Sequence, residues 1–471
     1  MRSVRAVVSA VVCAAALVAA PAGAGVGGVT SGPPPLSDLA LAEVPTMTRV
    51  AALDDVTRTV RGALGNANRY FLNTWWNERV TSLTPYQRSA DRLQHRGTIN
   101  SEDVRRYASV ALSIAAPLAT RTYDYRATGV PASTATDRAV LLVQMLVRTH
   151  TGVLGRSGWG ESWQSPLWAS QAALAGWLVG PALPVPDQVL LARMLEVEAD
   201  YVTSKPVKYL RNRAGAIVSH GDSGSEEMAW EALALFTAVE LMPSHPRRTF
   251  WADHAYRRFA AAYARPADVT SNVVLNARPL SRWLGGSNVE PSGVVVNHGR
   301  ISPDYTASMS LHAAVVSGLV GEGVPAVAVH GHRATYGALT SHQFGRGWAA
   351  PGGTVYRPNS SAIYYPMGAD WGTDRQVVYG VFDLQMSALG LDRGFRVPAR
   401  KWAALHLGHT RRMQARFTTG QTYGPMSEDG YFGREEWTGA LLAYAELTDW
   451  LASKKRLSVD NRSPGVKVPR R

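Results

Sequence analysis

Apolar residues recur at three- and four-residue spacing along almost the whole chain, and that pattern restricts the fold more than any other feature. It runs through roughly 48–65, 101–118, 134–149, 163–179, 186–200, 225–242, 247–263, 304–320, 325–341, 374–390, 398–416 and 434–452. The period is that of an α-helix, not the two-residue alternation of a strand. Short breakers such as Gly152, Gly180-Pro181, Pro243, Pro266 and Gly321 separate the segments, so consecutive helices should fold back on one another. About a dozen helices without strand–helix alternation predict an all-α domain over 48–452. Its expected arrangement is an incomplete (α/α) toroid, with an irregular helical domain as the alternative. No strict repeat is present, which disfavours a regular solenoid.

Two stretches interrupt the pattern. Residues 266–300 and 343–372 are rich in Gly, Pro and Asn with short Val runs, and should be long loops with small strands. Helix starts carry their own marks. Ser223-Gly-Ser-Glu226 has the spacing of a capping box, and Ser302-Pro303-Asp304 sets a Ser cap before a Pro at the first helical position.

The first 24 residues fit an export signal. Arg2 and Arg5 precede an apolar run from Ala6 to Ala20, Pro21 breaks it, and Ala22-Gly23-Ala24 offers a small-x-small cleavage site. Cys13, the single cysteine, would leave with that segment, so neither disulfides nor thiolate chemistry are expected in the secreted, extracellular product. A lipid anchor on Cys13 is disfavoured by Val12 before it and by the apolar run beyond it. Residues 25–47 read as a flexible leader and 453–471 as a basic disordered tail. The net charge of +13 is concentrated at the ends: Arg2 and Arg5 supply two, and the tail (Lys454, Lys455, Arg456, Arg462, Lys467, Arg470 and Arg471 against Asp460) supplies six. The remaining charge is modest and no reader motif is present, so no nucleic-acid partner is expected. The tail is a solvated end or a contact to an anionic cell wall. No later apolar stretch is long enough for a membrane span.

Polar residues gather where helices begin. In Trp159-Gly-Glu161-Ser-Trp163-Gln164-Ser-Pro-Leu-Trp168, three indoles lie beside an acid and an amide. Indole faces stack on sugar rings whose hydroxyls need polar partners, although Trp163 and Trp168 would serve equally as core. The second cluster, from His220 to Glu231, includes Glu226 and Glu227 in a first helical turn. They are either caps favoured by the helix dipole or site residues. Glu227 and Glu231 stand one turn apart, a like-charge pair that calls for a partner cation or marks a site. The third, Asn297-His298-Gly-Arg300-Ile-Ser-Pro-Asp304-Tyr305, sets an amide, imidazole, guanidinium, carboxylate and phenol in nine residues; a hydrogen-bonded turn is its plain alternative. His330-Gly-His332 and His406-x-x-His409 have ligand-like spacing but no acids or cysteines to complete a metal site. Asp370–Arg375 and Glu428–Glu436 sit at expected helix starts, where they either complete the same groove or cap the helices, capping being the preferred reading. Neither a phosphate loop nor a dinucleotide fingerprint appears, and no cofactor is expected.

The run Gly158–Trp168, the start Ser225-Glu-Glu-Met-Ala-Trp230 and the loop Asn297-His298…Pro303-Asp304-Tyr305 resemble the helical-toroid domain of heparinase II/III-like polysaccharide lyases. The likeness covers roughly 150–320. It implies β-elimination on an anionic, uronic-acid-containing polysaccharide lying in a central groove. Such elimination removes the C5 proton and loads negative charge on the uronate carboxylate, which donors must meet. The resemblance then implies Tyr305 as base and acid and His298 as a second acid–base group. It implies Asn297 and Arg300 as carboxylate neutralisers and Glu227 as the group that orients them. Trp159, Glu161, Trp163, Gln164, Glu226 and Asp304 would bind substrate. Two departures stand out. Met228 occupies the place where an Asn is expected, and no C-terminal β-sandwich follows the helices. Two readings remain beside the lyase: a glycoside hydrolase using Asp304 with Glu226 or Glu227, and a non-catalytic glycan-binding or cell-wall-binding protein.

Overall fold

The computed structural model describes residues 39–81, 101–307, 311–345, 352–370, 372–424 and 433–462, and these are mostly helical. The segment 1–24, read as an export signal, lies outside them. The long helices are α1 Asp55–Tyr70, α2 Ser101–Ala119, α3 Ala132–Arg148, α4 Ser165–Leu178, α5 Val185–Ser204 and α6 Ser225–Leu241. There follow α7 Arg248–Ala262, α8 His312–Val320, α9 His332–Thr340, α10 Gln376–Ala388, α11 Ala399–Gln414 and α12 Arg434–Ser453. Local chemistry sets several starts. Asp54 caps α1 by accepting from the Thr57 N–H at 3.0 Å, and Pro131, Pro184 and Pro398 precede α3, α5 and α11, where a missing N–H costs nothing.

Burial sorts the helices into two kinds. All fourteen residues of α4 are buried, as are seventeen of the twenty in α12. Every residue of α6 is buried except Glu226. Helices apolar on all sides belong inside, and those with a single apolar stripe belong outside. Contacts follow that division. α2 packs on α4 and α12, α4 on α6, α6 on α8, and α8 on α12. The amphipathic helices cover them: α1 lies on α11 and α12, α3 on α2, α5 on α4 and α6, α7 on α6.

The first irregular stretch forms loops with two-residue antiparallel strands, and the described part of the second carries only isolated bridges, such as Tyr356 to Ile363. Val274–Leu275 pairs with Arg278–Pro279, Gly286–Ser287 with Arg211–Asn212, and Val296–Asn297 with Arg300–Ile301. The structure alters several local expectations. The segments 304–320 and 325–341 are each split; Pro303–Thr306 and Ala326–Ala328 are single turns, and Gly331 at φ +80° interrupts the second before α9. Ser223 and Glu226 do not form a capping box. Gly224 is the N-cap of α6, and the buried Ser223 hydroxyl has no hydrogen-bond partner. Ser302 is the cap residue before Pro303, but its side chain makes no capping bond.

Both ends of the described chain are held. From Leu39 onward the leader packs on the core: Ala42 N–H donates to Leu241 O (2.7 Å) and Trp177 Nε1–H to Ala42 O (2.6 Å). The basic tail is paired as far as Val459–Asp460, which run parallel to Val324–Pro325. The Asn276 carboxamide donates to the carbonyls of Asp460 and Arg462. Satisfied backbone groups at both places remove the reason for a free end. No described helix is long and apolar enough to cross a membrane.

Candidate functional site

Glu226, the exception to the burial of α6, borders a cavity of about 350 Å³, within the range of small-molecule sites. Two backbone hydrogen bonds bring the second and third sequence clusters together here. Gly299 N–H donates to Gly221 O at 2.7 Å, and Ser223 N–H to Val296 O at 3.0 Å. The approach needs glycine: a Cβ on Gly221, at φ +68°, would lie 2.9 Å from Gly299 Cα. The start of α6 is fixed beneath by buried Asn288, which accepts from Leu210 and Gly224 N–H and donates to Lys208 and Ala261 carbonyls.

His298 and Gly299 turn the hairpin at φ +51° and +72°, the left-handed pair that two-residue hairpins demand. His298 Nδ1–H donates to Asp370 Oδ2 at 2.8 Å, while Arg300 Nη1 contacts Asp370 Oδ1 at 2.8 Å. The carboxylate thereby fixes the ring and leaves Nε2 as its basic nitrogen. The His298 ring stands edge-on to Tyr305, centroids 5.7 Å apart. Both line the cavity, as do Trp163, Gln164, Glu226 and Asp304.

Asp304 is held from three sides. Tyr365 and Tyr379 donate to Oδ1 at 3.1 and 2.8 Å, and Arg375 to Oδ2 at 2.8 Å. Burial and the charge of Asp304 push both phenols well above their usual pKa, so they remain donors. Arg375 also lies against the face of Trp437, at 4.8 Å. Glu226 behaves differently. Although it is partly open to the cavity, desolvation by the protein packed around it, with the charge of Glu227 adding to it, raises its pKa to about 8 against the opposing influence of Arg375 and Arg105. At neutral pH it therefore carries a proton and is a hydrogen-bond donor.

Five of the expected residues lie outside this cavity. Trp159 is buried, its indole N–H donating to Leu146 O. Glu161 is exposed, and its backbone N–H meets Glu198. Asn297 is buried in the hairpin strand with Oδ1 unpaired, and Arg300 is committed to Asp370. Glu227 pairs with Lys208 at 3.5 Å, while Glu231 meets Lys205 and Arg258 at 2.5 and 2.9 Å. The like-charge pair thus has its cations, and Glu226 rather than Glu227 faces the hollow. None of Trp159, Glu161, Glu227, Asn297 and Arg300 lines the cavity.

Arg375, before α10, lines it from one of the runs at expected helix starts, and other groups line it without having been singled out: Arg105 from α2, Trp437 from α12, and His312 with Gln385. Arg375 and Asp370 lie in a run read as helix caps; Asp370 instead bridges His298 and Arg300. His312 opens an apolar helix and gives no local signal. Of the second run read as caps, Glu428 to Phe432 lie outside the described residues. Glu435 accepts from the Thr422 and Tyr423 N–H groups, and Glu436 from Trp75 Nε1. Asp268 contacts His330 (3.4 Å), Asp383 contacts His406 (2.8 Å) and Asp374 contacts His409 (3.5 Å). Among the described residues no cluster of three or more His, Cys, Asp or Glu is placed to hold a metal ion. Comparison with protein-family models, with curated proteins and with solved structures finds no match.

Proposed function

We propose that the chain is an exported polysaccharide lyase that cleaves a uronic-acid-containing polymer by β-elimination in the hollow of an (α/α) toroid. The succession of contacts α2–α4–α6–α8–α12, returning to α2, supports the toroid. One observation carries the chemistry: Glu226 on α6, its pKa raised by desolvation, and an oriented His298–Tyr305 pair border one cavity.

In this reading Tyr305 takes the C5 proton, the C4–C5 double bond forms, and the C4–O bond breaks as Tyr305 returns a proton to the leaving oxygen. A tyrosine starts from a pKa near 10, so its proton must first pass to a neighbouring base. His298 Nε2, with Nδ1 anchored by Asp370, is that base. Charge growing on the uronate is met by the Glu226 hydroxyl and by Arg105 and Arg375, the task first assigned to Asn297 and Arg300. Glu226 thus supplies the neutral donor that Met228 cannot. Trp163 and Trp437 offer apolar faces to sugar rings. The expected export signal and the basic tail suit work outside the cell on an anionic polymer, the tail holding the protein to the wall.

Incubating the purified protein with uronate polymers and following the ultraviolet absorbance of unsaturated ends tests the proposal. Elimination should appear in the wild type and vanish in Tyr305→Phe, with unchanged circular dichroism. New reducing ends without that absorbance would mean hydrolysis, for which protonated Glu226 is a suitable acid although Asp304 already accepts three hydrogen bonds. Binding with no cleavage would leave a glycan-binding protein.

A further inference from the structure

The cavity is polar at one end and apolar at the other. Trp163 is 59% exposed at its mouth, near the charged group of Arg375, Asp304 and Glu226. From Arg375 the wall follows α10, where Val378, Val381, Phe382 and Gln385 recur at helical spacing and so share one face. The ten helical steps from Arg375 to Gln385 span roughly 15 Å at the helical rise. The far end is closed by residues no more than 3% exposed: Phe382, Gln385, Leu441 and His312.

His312 is fixed there. Its ring stacks on Tyr444 with centroids 3.9 Å apart, and Gln385 Nε2–H donates to Nδ1 at 3.0 Å. With Nδ1 accepting, the proton of the neutral ring is on Nε2. Nε2 is buried and has no hydrogen-bond partner. A buried donor without an acceptor costs about 1–3 kcal/mol, and a ligand oxygen would recover that. Burial lowers the His312 pKa to about 3, so the group stays uncharged.

We propose that this closed end is a subsite for an uncharged acyl substituent, an acetamido or acetyl-ester group, on the sugar that enters the cavity. The carbonyl oxygen accepts from His312 Nε2–H, and the methyl group lies among Val381, Phe382 and Leu441. A carbonyl needs only a donor here. A hydroxyl would bring a second hydrogen into apolar walls, and a carboxylate would meet no cation, since Arg105 and Arg375 belong to the polar end. The acyl subsite deepens the lyase reading by naming a substituent of the substrate, and binding can be measured without turnover.

The test is a fluorescence titration of the full chain, read through Trp163 and Trp437. The probes are the methyl glycosides of N-acetylglucosamine, 6-O-acetylglucose and glucose. At least one acetylated sugar should bind about tenfold more tightly than glucose, and the two acetylated probes distinguish amide from ester. His312→Leu, which keeps an apolar filler and removes the donor, should abolish that preference with unchanged circular dichroism. His312→Asn, which restores an N–H, should recover part of it. Equal binding of all three sugars, no binding of any, or a preference that survives His312→Leu would overturn the proposal. A variant that fails to fold transfers the decision to the wild-type ranking of the three sugars. A preference for acetyl without elimination of any uronate polymer would sink the lyase reading and leave the subsite standing; elimination without the preference would do the reverse.

Discussion

Two buried carboxylates on neighbouring elements, Asp304 and Asp383, are built from similar parts and end in different roles. Asp304 accepts from Tyr365, Tyr379 and Arg375. Asp383 accepts from Tyr356 at 2.9 Å and from His406 Nδ1 at 2.8 Å. The clusters touch, since the Tyr356 and Tyr379 rings lie edge to face with centroids 5.8 Å apart. Asp304 has a permanent cation and faces a cavity that also holds Glu226. Asp383 has no guanidinium partner; burial raises its pKa to about 6, opposed by its bonds to His406 and Tyr356. A fixed positive charge keeps the first cluster ionic at the edge of a hollow. Without one, the second serves as polar packing between α10 and α11.

The largest expected effect comes from removing the first acid. Asp304→Ala leaves the Arg375 charge without its carboxylate and takes the acceptor from two buried phenols that keep only their bond to each other, a change that costs about 3–5 kcal/mol; urea unfolding measures it. Asp383→Asn should cost only about 1–2 kcal/mol, because one bond is lost and no buried cation is stranded. Equal losses in the two variants would erase the distinction. Gly221→Ala tests the junction that brings His298 to the cavity. Its left-handed φ and the contact with Gly299 predict about 1–2 kcal/mol in thermal unfolding, together with a fall in kcat larger than that in Asp383→Asn.

The smallest change at neutral pH is expected for Glu226→Gln, which preserves a neutral donor. Its signature is pH dependence. Glu226 is raised from 4.5 to about 8 on folding, so its contribution to stability is complete below about 4.5 and is lost as pH rises through about 8. The Tm of the wild type should therefore fall across that window more steeply than that of the variant. Parallel Tm curves would show that Glu226 titrates as an ordinary carboxyl. Asp383→Asn should flatten the curve only up to about pH 6.

Helix content was legible because it depends on periodicity within a dozen or so residues. The predicted segments 225–242 and 434–452 differ from α6 and α12 by a residue at most. The acidic helix start and the amide–imidazole–phenol loop could also be recognised, as clusters richer in polar groups than a turn requires. Their members could not be sorted. Glu226 and Glu227 are adjacent in the chain and chemically alike, yet one borders the cavity and the other meets Lys208. A helix rotates successive side chains by about 100°, and only packing decides which direction is open. Asp370 and Arg375 resembled caps because a carboxylate or guanidinium near a helix start looks the same whether it serves the helix or a distant partner.

The sequence alone determined that the chain is helical, where most helices begin and end, and which stretches leave the helical pattern. Those properties follow from local spacing and backbone preference. Tertiary structure decided that Arg105, His298, His312 and Arg375, drawn from positions 270 residues apart at the extremes, border one hollow. It also decided that His312, one of whose ring nitrogens is buried without a partner, lines that hollow. Burial and hydrogen-bond partners are properties of the assembled core, and no short window of residues encodes them.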